Sequence, residues 1–343
     1  MPELRPELET LRFHGSGLNR PEGVIAHASG LLFAADWTGT GGVSIIDPAT
    51  GSVTRHLAKG HPFALKPNGI LLDDDASFLL THLGTTIDDG GVFRLHPDGS
   101  VSAVLTQLHG APLPPTNFAA KDRHGRIYVT VSTRHIPRHT AARPGIRDGF
   151  VALLTPEGDA SIVADNLGYT NECIVSADGK TLFVNETFGR STAAFDIAED
   201  GTLGPYQAFA SYGDGIFPDG MALDEEGGLW IVSIVSNTVL RGAPGGRRAL
   251  ILHNRNSDRV MEVERAFLGG RHDRSHLDAP HAGPLHNVSS LAFGGDDLRT
   301  VYLGCLLGDS IASFESSIAG LRPAHFDVDL TPLSAAGKLP VSP

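Results

Sequence analysis

Six polar residues carry the first chemical signal of this sequence: Glu22, Asn68, Asn117, Asn171, Asp219 and Ser289. Each opens a segment of one type, in which a small polar motif leads into an apolar strand, an Asp/Gly-rich turn and a second strand. The segments are PEGVIAHASGLLFAADW from Pro21, PNGILLDDDASFLLTHL from Pro67, TNFAAKDRHGRIYVTVS from Thr116, TNECIVSADGKTLFVNET from Thr170, PDGMALDEEGGLWIVSI from Pro218 and VSSLAFGGDDLRTVYLG from Val288. The six residues are separated by 46, 49, 54, 48 and 70 positions. Two are carboxylates, three are amides and one is a hydroxyl, and no Lys, Arg, Cys or His stands at the equivalent position. Taken singly, PNG or PDG is an ordinary turn. Six oxygen-bearing side chains in one register mean more if the fold brings them to one axis. Two buried carboxylates without a counter-charge are costly, and a divalent cation is the economical partner. Glu22 and Asp219 with the amide oxygens of Asn117 and Asn171 form a hard oxygen set. It suits Ca²⁺ first, with Mg²⁺ or Mn²⁺ compatible and Zn²⁺ the least natural. Four protein ligands at most leave positions for water or substrate, as a catalytic ion requires.

The elements that must position these residues follow from the repeat. A third strand comes after each segment: GGVSIID, GVFRLHP, GFVALLT, STAAFDI, NTVLRGA and DSIASFE. Candidate fourth strands include SVTRHLA, SVSAVLT, ASIVADN and RRALILH. Four short antiparallel strands repeated six times describe an all-β, six-bladed β-propeller around a central channel. A long β-sandwich or solenoid is the alternative. No fourth strand follows DSIASFE, and the N-terminal TLRFHGS can supply it and close the ring. The expectation is one propeller domain over residues 1–343, with blades starting near 21, 67, 116, 170, 218 and 288.

Composition fits this reading and excludes other classes. The chain has 343 residues, 41% hydrophobic and 19% charged, enough for a large core. Its 41 Gly and 22 Pro suit a turn-rich β protein. A formal net charge of −12 argues against a nucleic-acid partner. No stretch approaches the length of a membrane span, and MPELRPELETLRF has no apolar signal-peptide region. The expectation is a soluble cytoplasmic protein acting on a small molecule, without a nucleic-acid or membrane partner. No feature specifies an oligomeric state. Cys173 and Cys305 both lie in apolar, strand-like runs and read as buried thiols in a reducing compartment.

Strand direction places the loops between second and third strands, and the linkers between blades, over the same end as the six polar residues. Both long insertions belong to those classes: residues 133–149, with Arg134, Arg138, Arg143 and Arg147, and residues 253–287. The second holds a helix-like SDRVMEVERAFLGG and histidines at 272, 276, 281 and 286, which lack zinc-type spacing. Both read as lids, and the arginines point to an anionic or polyhydroxylated ligand. Asp36, His82 and Glu186, near the ends of second strands, are candidates for the site mouth, and Trp37 offers a stacking surface. The sequence has no nucleophile elbow, H-E-x-x-H helix, P-loop or dinucleotide fingerprint. GDSIA at 308–312 falls at a turn.

PEGV at 21–24, the Asn117-to-Asp122 spacing, the Asn171 segment and FPDGMALDEEGGLW from Phe217 together resemble the senescence-marker-protein/regucalcin/gluconolactonase family. That family is similar in turn to diisopropylfluorophosphatase. The resemblance runs from about Asn19 to Phe314. It implies metal ligation by Glu22, Asn171 and Asp219, with Asn117 contacting metal, water or substrate. It also implies a gluconolactonase-like hydrolase that opens lactones, with Asp219 as catalytic base or nucleophile. Pro115 stands where sugar lactonases often carry Arg, and Arg134 where an acidic substrate contact is expected. Asn68, Asn117, Arg134, His82, Glu186 and Trp37 are the substrate-contact candidates. The alternatives are organophosphate or phosphoester hydrolysis at the same site and a non-catalytic propeller whose metal pins the axis.

Overall fold

A computed structural model describes residues 6–84, 90–242, 248–279 and 283–340. Six four-stranded antiparallel sheets form a ring, the six-bladed propeller expected from the repeat. The innermost strands are Val24–Ala26, Pro67–Leu72, Thr116–Lys121, Thr170–Val175, Phe217–Leu223 and Val288–Gly294, and they head blades 1 to 6 in that order. In blades 1 to 5 the four strands follow one another along the chain. In blade 6 the outermost strand is the N-terminal Arg12–His14, which pairs antiparallel with Ile311–Glu315, Phe13 facing Ala312. The ring is therefore closed by the chain's own start, as TLRFHGS suggested.

Side chains alternate along each strand, so one blade presents two apolar faces. Six buried clusters fill the wedges between neighbouring blades. Phe33 and Val43 of blade 1 meet Phe78 and Leu80 of blade 2, while Leu79 on the opposite face meets Val129 of blade 3. Tyr128 and Val151 meet Leu182 and Val184. Trp230 and Val232 meet Leu291 and Leu303, and Val24 and Ala34 meet Tyr302 of blade 6. No blade buries both faces without its neighbours, which is why the repeat folds only as a ring. Cys173 and Cys305 are buried and unpaired, as expected. Burial raises both thiols, Cys305 to about 11.

Candidate active site

In blades 2 to 6 the innermost strand loses regular pairing at the repeat's polar position. Register breaks lie between Pro67 and Ile70, Thr116 and Phe118, Thr170 and Cys173, Pro218 and Met221, and Val288 and Ser290. Asn68, Asn117, Asn171, Asp219 and Ser289 occupy these bulges, and Glu22 lies just before Val24–Ala26. A bulge re-aims a side chain that would otherwise alternate into a blade face. All six residues are buried at the channel end.

Neighbouring blades fix this backbone. Thr81 of blade 2 donates to the Asn117 carbonyl at 2.7 Å, and Thr130 of blade 3 to the Asn171 carbonyl at 2.7 Å. Asn185 of blade 4 donates to the Asp219 carbonyl at 2.9 Å, and Ser289 to the Glu22 carbonyl at 3.1 Å. Thr81, Thr130 and Asn185 occupy equivalent positions late in second strands. Their recurrence is a second signal that the repeat carries in the sequence.

The side chains themselves are only partly satisfied. Asn68 donates to Asn117 Oδ1 at 3.2 Å, Asn117 to Ser132 at 3.2 Å, and Asn171 to Thr187 at 3.0 Å. Every ring amide thus spends its N–H on the protein. The Oδ1 atoms of Asn68 and Asn171 are buried without a partner, and the Asp219 carboxylate receives no hydrogen bond from the described residues. Buried polar atoms are almost always paired, so these acceptors call for a donor or cation beyond the described residues. Among the described residues no three His, Cys, Asp or Glu side chains group as a metal site. A cation here must use amide oxygens beside two carboxylates, a donor set that fits a hard ion.

No basic residue stands at the repeat position itself, but one offsets a carboxylate from outside it. Arg20, two residues before Glu22 and at φ +59°, donates from Nε to Glu22 at 2.9 Å. Arg20 reaches the axis from the loop before the strand and so stands outside the register of the repeat. A second omission is Glu172. The chain turns apolar or glycine-rich after most ring residues, but here a carboxylate follows Asn171 and accepts from Met221 N at 3.0 Å. Gly220 leaves room for it, since a Cβ there would lie 3.1 Å from Glu172 Oε1 and 2.4 Å from Ser290 Cα. Burial, with Glu22 adding repulsion, pushes Glu172 up to about 8. Burial and then the charges of Glu22 and Glu172 hold Asp219 well above the usual carboxylate range, against the pull of Arg138 and Arg20.

The two insertions pack together at this end. Ala141 and Ala142 of the first join Val260, Val263 and Phe267 of helix α1 (Ser257–Leu268) in one cluster. That cluster includes Tyr169 and Phe217, which neighbour the ring positions. Arg143 ties the insertions by donating to the His272 carbonyl at 2.7 Å. The helix covers SDRVMEVERAFL of the expected SDRVMEVERAFLGG, capped by Asn256 at its start and by Gly269 at its end. His272 and His276 stack 5.2 Å apart, and His281 lies outside the described residues.

The remaining substrate-contact candidates are distributed unevenly. Asn68 and Asn117 are in the ring. The Trp37 indole donates to the Pro67 carbonyl at 2.7 Å, and the Arg20 guanidinium covers its ring at 4.5 Å. His82 is fully buried, its Nδ1 accepting from Lys66 N at 2.8 Å, with Phe63 and Phe93 against its ring. Glu186 is fully buried and accepts from Gly168 N, from Arg147 and Tyr206 at 2.9 Å each, and from Ser191 at 3.0 Å. Arg134 is exposed and forks onto Asp165 at 2.8 and 3.0 Å. Asp36 is buried and held by Ser44 at 2.6 Å and Arg55 at 3.1 Å. The structure therefore gathers Glu22, Asn68, Asn117, Asn171 and Asp219, and gives His82, Glu186, Arg134 and Asp36 protein partners of their own.

Comparison with known proteins places this geometry in a family. The profile described as "SMP-30/Gluconolactonase/LRE-like region" matches residues 21–253. A lactonase drp35 from Staphylococcus saprophyticus is 22% identical over 214 residues, covering 60% of this chain and 62% of the relative. A 6-deoxy-6-sulfogluconolactonase from Pseudomonas putida is 24% identical over 217 residues, with 62% of each chain covered. The match thus spans about three fifths of the length of these curated relatives. The calcium-binding protein regucalcin from Agrobacterium tumefaciens shares the fold at a TM-score of 0.65 and 15% identity, covering 92% of this chain and 97% of that one. The chain belongs to the SMP-30/gluconolactonase/LRE-like family.

Proposed function

We propose that this chain hydrolyses lactones, opening a cyclic ester to a hydroxy acid with the help of a divalent cation, calcium first among them. The observation that carries the reading is Asp219: a buried carboxylate without a hydrogen-bond donor among the described residues, beside the unpartnered Oδ1 of Asn171. The relatives' names, two lactonases and one calcium-binding protein, support it. Glu22, Asn171 and Asp219 would hold the ion, with Asn117 alongside. When bound, such an ion polarises a carbonyl oxygen and acidifies water.

The chain's own residues supply the rest. Burial and neighbouring carboxylates hold Asp219 well above the usual carboxylate range, which suits a base that takes a proton from water and returns it to the departing alkoxide. Asn68 Oδ1 is placed to accept from a substrate hydroxyl. The insertions pack against Tyr169 and Phe217, two residues before Asn171 and Asp219, and would shield a bound substrate from bulk water. A second reading, a binding propeller without turnover, draws support from Arg20, which already offsets the charge of Glu22.

The test is acid release from a lactone panel by chelator-stripped protein, re-supplied with Ca²⁺, Mg²⁺, Mn²⁺ or Zn²⁺ in turn. Ion-restored turnover that falls about 100-fold or more in Asp219→Asn supports the hydrolase. Tight ion binding without turnover of any lactone favours the binding propeller.

A further inference from the structure

Resting on the lactone reading, we propose that the substrate carries a second, negatively charged group away from the lactone ring. We assign its recognition to Arg138 on the roof. The anion is a carboxylate, sulfonate or phosphate, which share the oxyanion edge a guanidinium binds.

The four arginines of the first insertion are not alike. Arg134 is held by Asp165, Arg143 by the His272 carbonyl, and Arg147 by Glu186 at 2.9 Å and the Asn166 carbonyl at 3.1 Å. Arg138 alone of the four has no carboxylate or carbonyl partner among the described residues. Its Nε donates to the Tyr169 hydroxyl at 2.9 Å, with the guanidinium 5.5 Å from the centroid of that ring. Nη1 is buried and has no hydrogen-bond partner. One edge of the guanidinium is thus anchored and the other lacks an acceptor.

Its position is set by Tyr169, whose hydroxyl accepts from Arg138 Nε at 2.9 Å and which lies two residues before the ring residue Asn171. The two other guanidiniums in that neighbourhood already have carboxylates, Arg20 with Glu22 at 2.9 Å and Arg274 with Asp278 at 2.6 Å. Among the arginines of the first insertion, Arg138 is the one with neither a carboxylate nor a carbonyl acceptor among the described residues, and it keeps a buried N–H edge open. A neutral hydroxyl would satisfy its N–H but not its charge. The protein as a whole carries −12, which disfavours anions generally, so an anionic substrate needs such a local positive group.

The experiment compares three six-carbon lactones that differ only at the terminal carbon: hydroxymethyl, carboxylate, or methylene sulfonate. All three give the same new carboxylate on opening, so their comparison isolates the second charge. With the calcium-loaded protein, at least one anionic lactone is expected to exceed the neutral one in kcat/KM by about tenfold, through KM. Arg138→Gln should bring that ratio close to one, and Arg138→Lys should recover part of it. A wild-type protein that opens the neutral lactone at least as well as both anionic ones overturns the inference, as does an Arg138→Gln variant that lowers all three equally. Calorimetry with the ring-opened dicarboxylate against the monocarboxylate reads binding without turnover. If no lactone is opened, the hydrolase reading fails on its own. A tighter dicarboxylate, weakened by Arg138→Gln, would then still support the anion site, and equal binding of the two would remove it.

Discussion

Asp219 and Asp224 stand at the two ends of the innermost strand of blade 5, with side chains equally removed from solvent, and their surroundings are opposite. Asp224 accepts from Glu226 N at 3.0 Å, Gly228 N at 2.7 Å, the Trp230 indole at 2.7 Å and Arg241 Nε at 2.5 Å. Asp219 receives nothing from the described residues and is raised by burial and by Glu22 and Glu172. Blade 3 repeats the contrast. Asp122 accepts from His124 N, Arg126 N and Arg126 Nε at 2.8, 3.0 and 2.6 Å, whereas Asn117 borrows its partners from blade 2 and from its own second strand. The turn end is satisfied by residues close in sequence, and it is structural. At the channel end the described residues leave acceptors open, which is where a bound group would be received.

The largest effect that sharpens this contrast is on stability. Asp224→Asn leaves Arg241 only the exposed Glu226 as an ion-pair partner and should cost about 3 kcal/mol in denaturant unfolding. Asp219→Asn should leave the ion-free protein as stable or more so, because it removes a buried charge. Equal losses in the two variants would break the distinction between the ends.

The next effect is of pH on the ion-free protein. Glu172 titrates from 4.5 in the unfolded chain to about 8 in the fold. A folded value above the unfolded one means stability that is fully present below 4.5 and is lost as pH rises toward about 8. Asp219 contributes with the same sign. The melting temperature of ion-free protein should therefore fall across that window, and Glu172→Gln should flatten the fall. An unchanged slope in the variant would show that Glu172 is not the group responsible.

The smallest effect concerns the inter-blade latches. Thr130→Val removes the hydroxyl that accepts from Phe118 N at 3.0 Å and donates to the Asn171 carbonyl at 2.7 Å. A loss of about 1 kcal/mol is expected, together with weaker divalent-ion binding in a calorimeter. Full retention of ion affinity would mean that the latch holds the blade and not the ring.

Much of this was legible before the fold was known. The repeat set blade number, strand order and closure by TLRFHGS, because each blade is built from residues adjacent along the chain. The ring positions were legible for the same reason: each sits at a fixed offset from a strong turn signal. The neighbours of the ring were not. Arg20 arrives from an unaligned loop, Glu172 interrupts an otherwise apolar pattern, and His82 and Glu186 read as rim residues yet are buried among partners from other segments.

The sequence by itself determined the propeller and which six residues face one another, since both depend on local periodicity repeated six times. Only the tertiary structure decided which of those residues are already satisfied. That balance depends on donors from other blades and from two insertions far apart in the chain. The same packing distinguishes Arg138 from the three arginines around it, because a guanidinium's role is set by the acceptors that reach it.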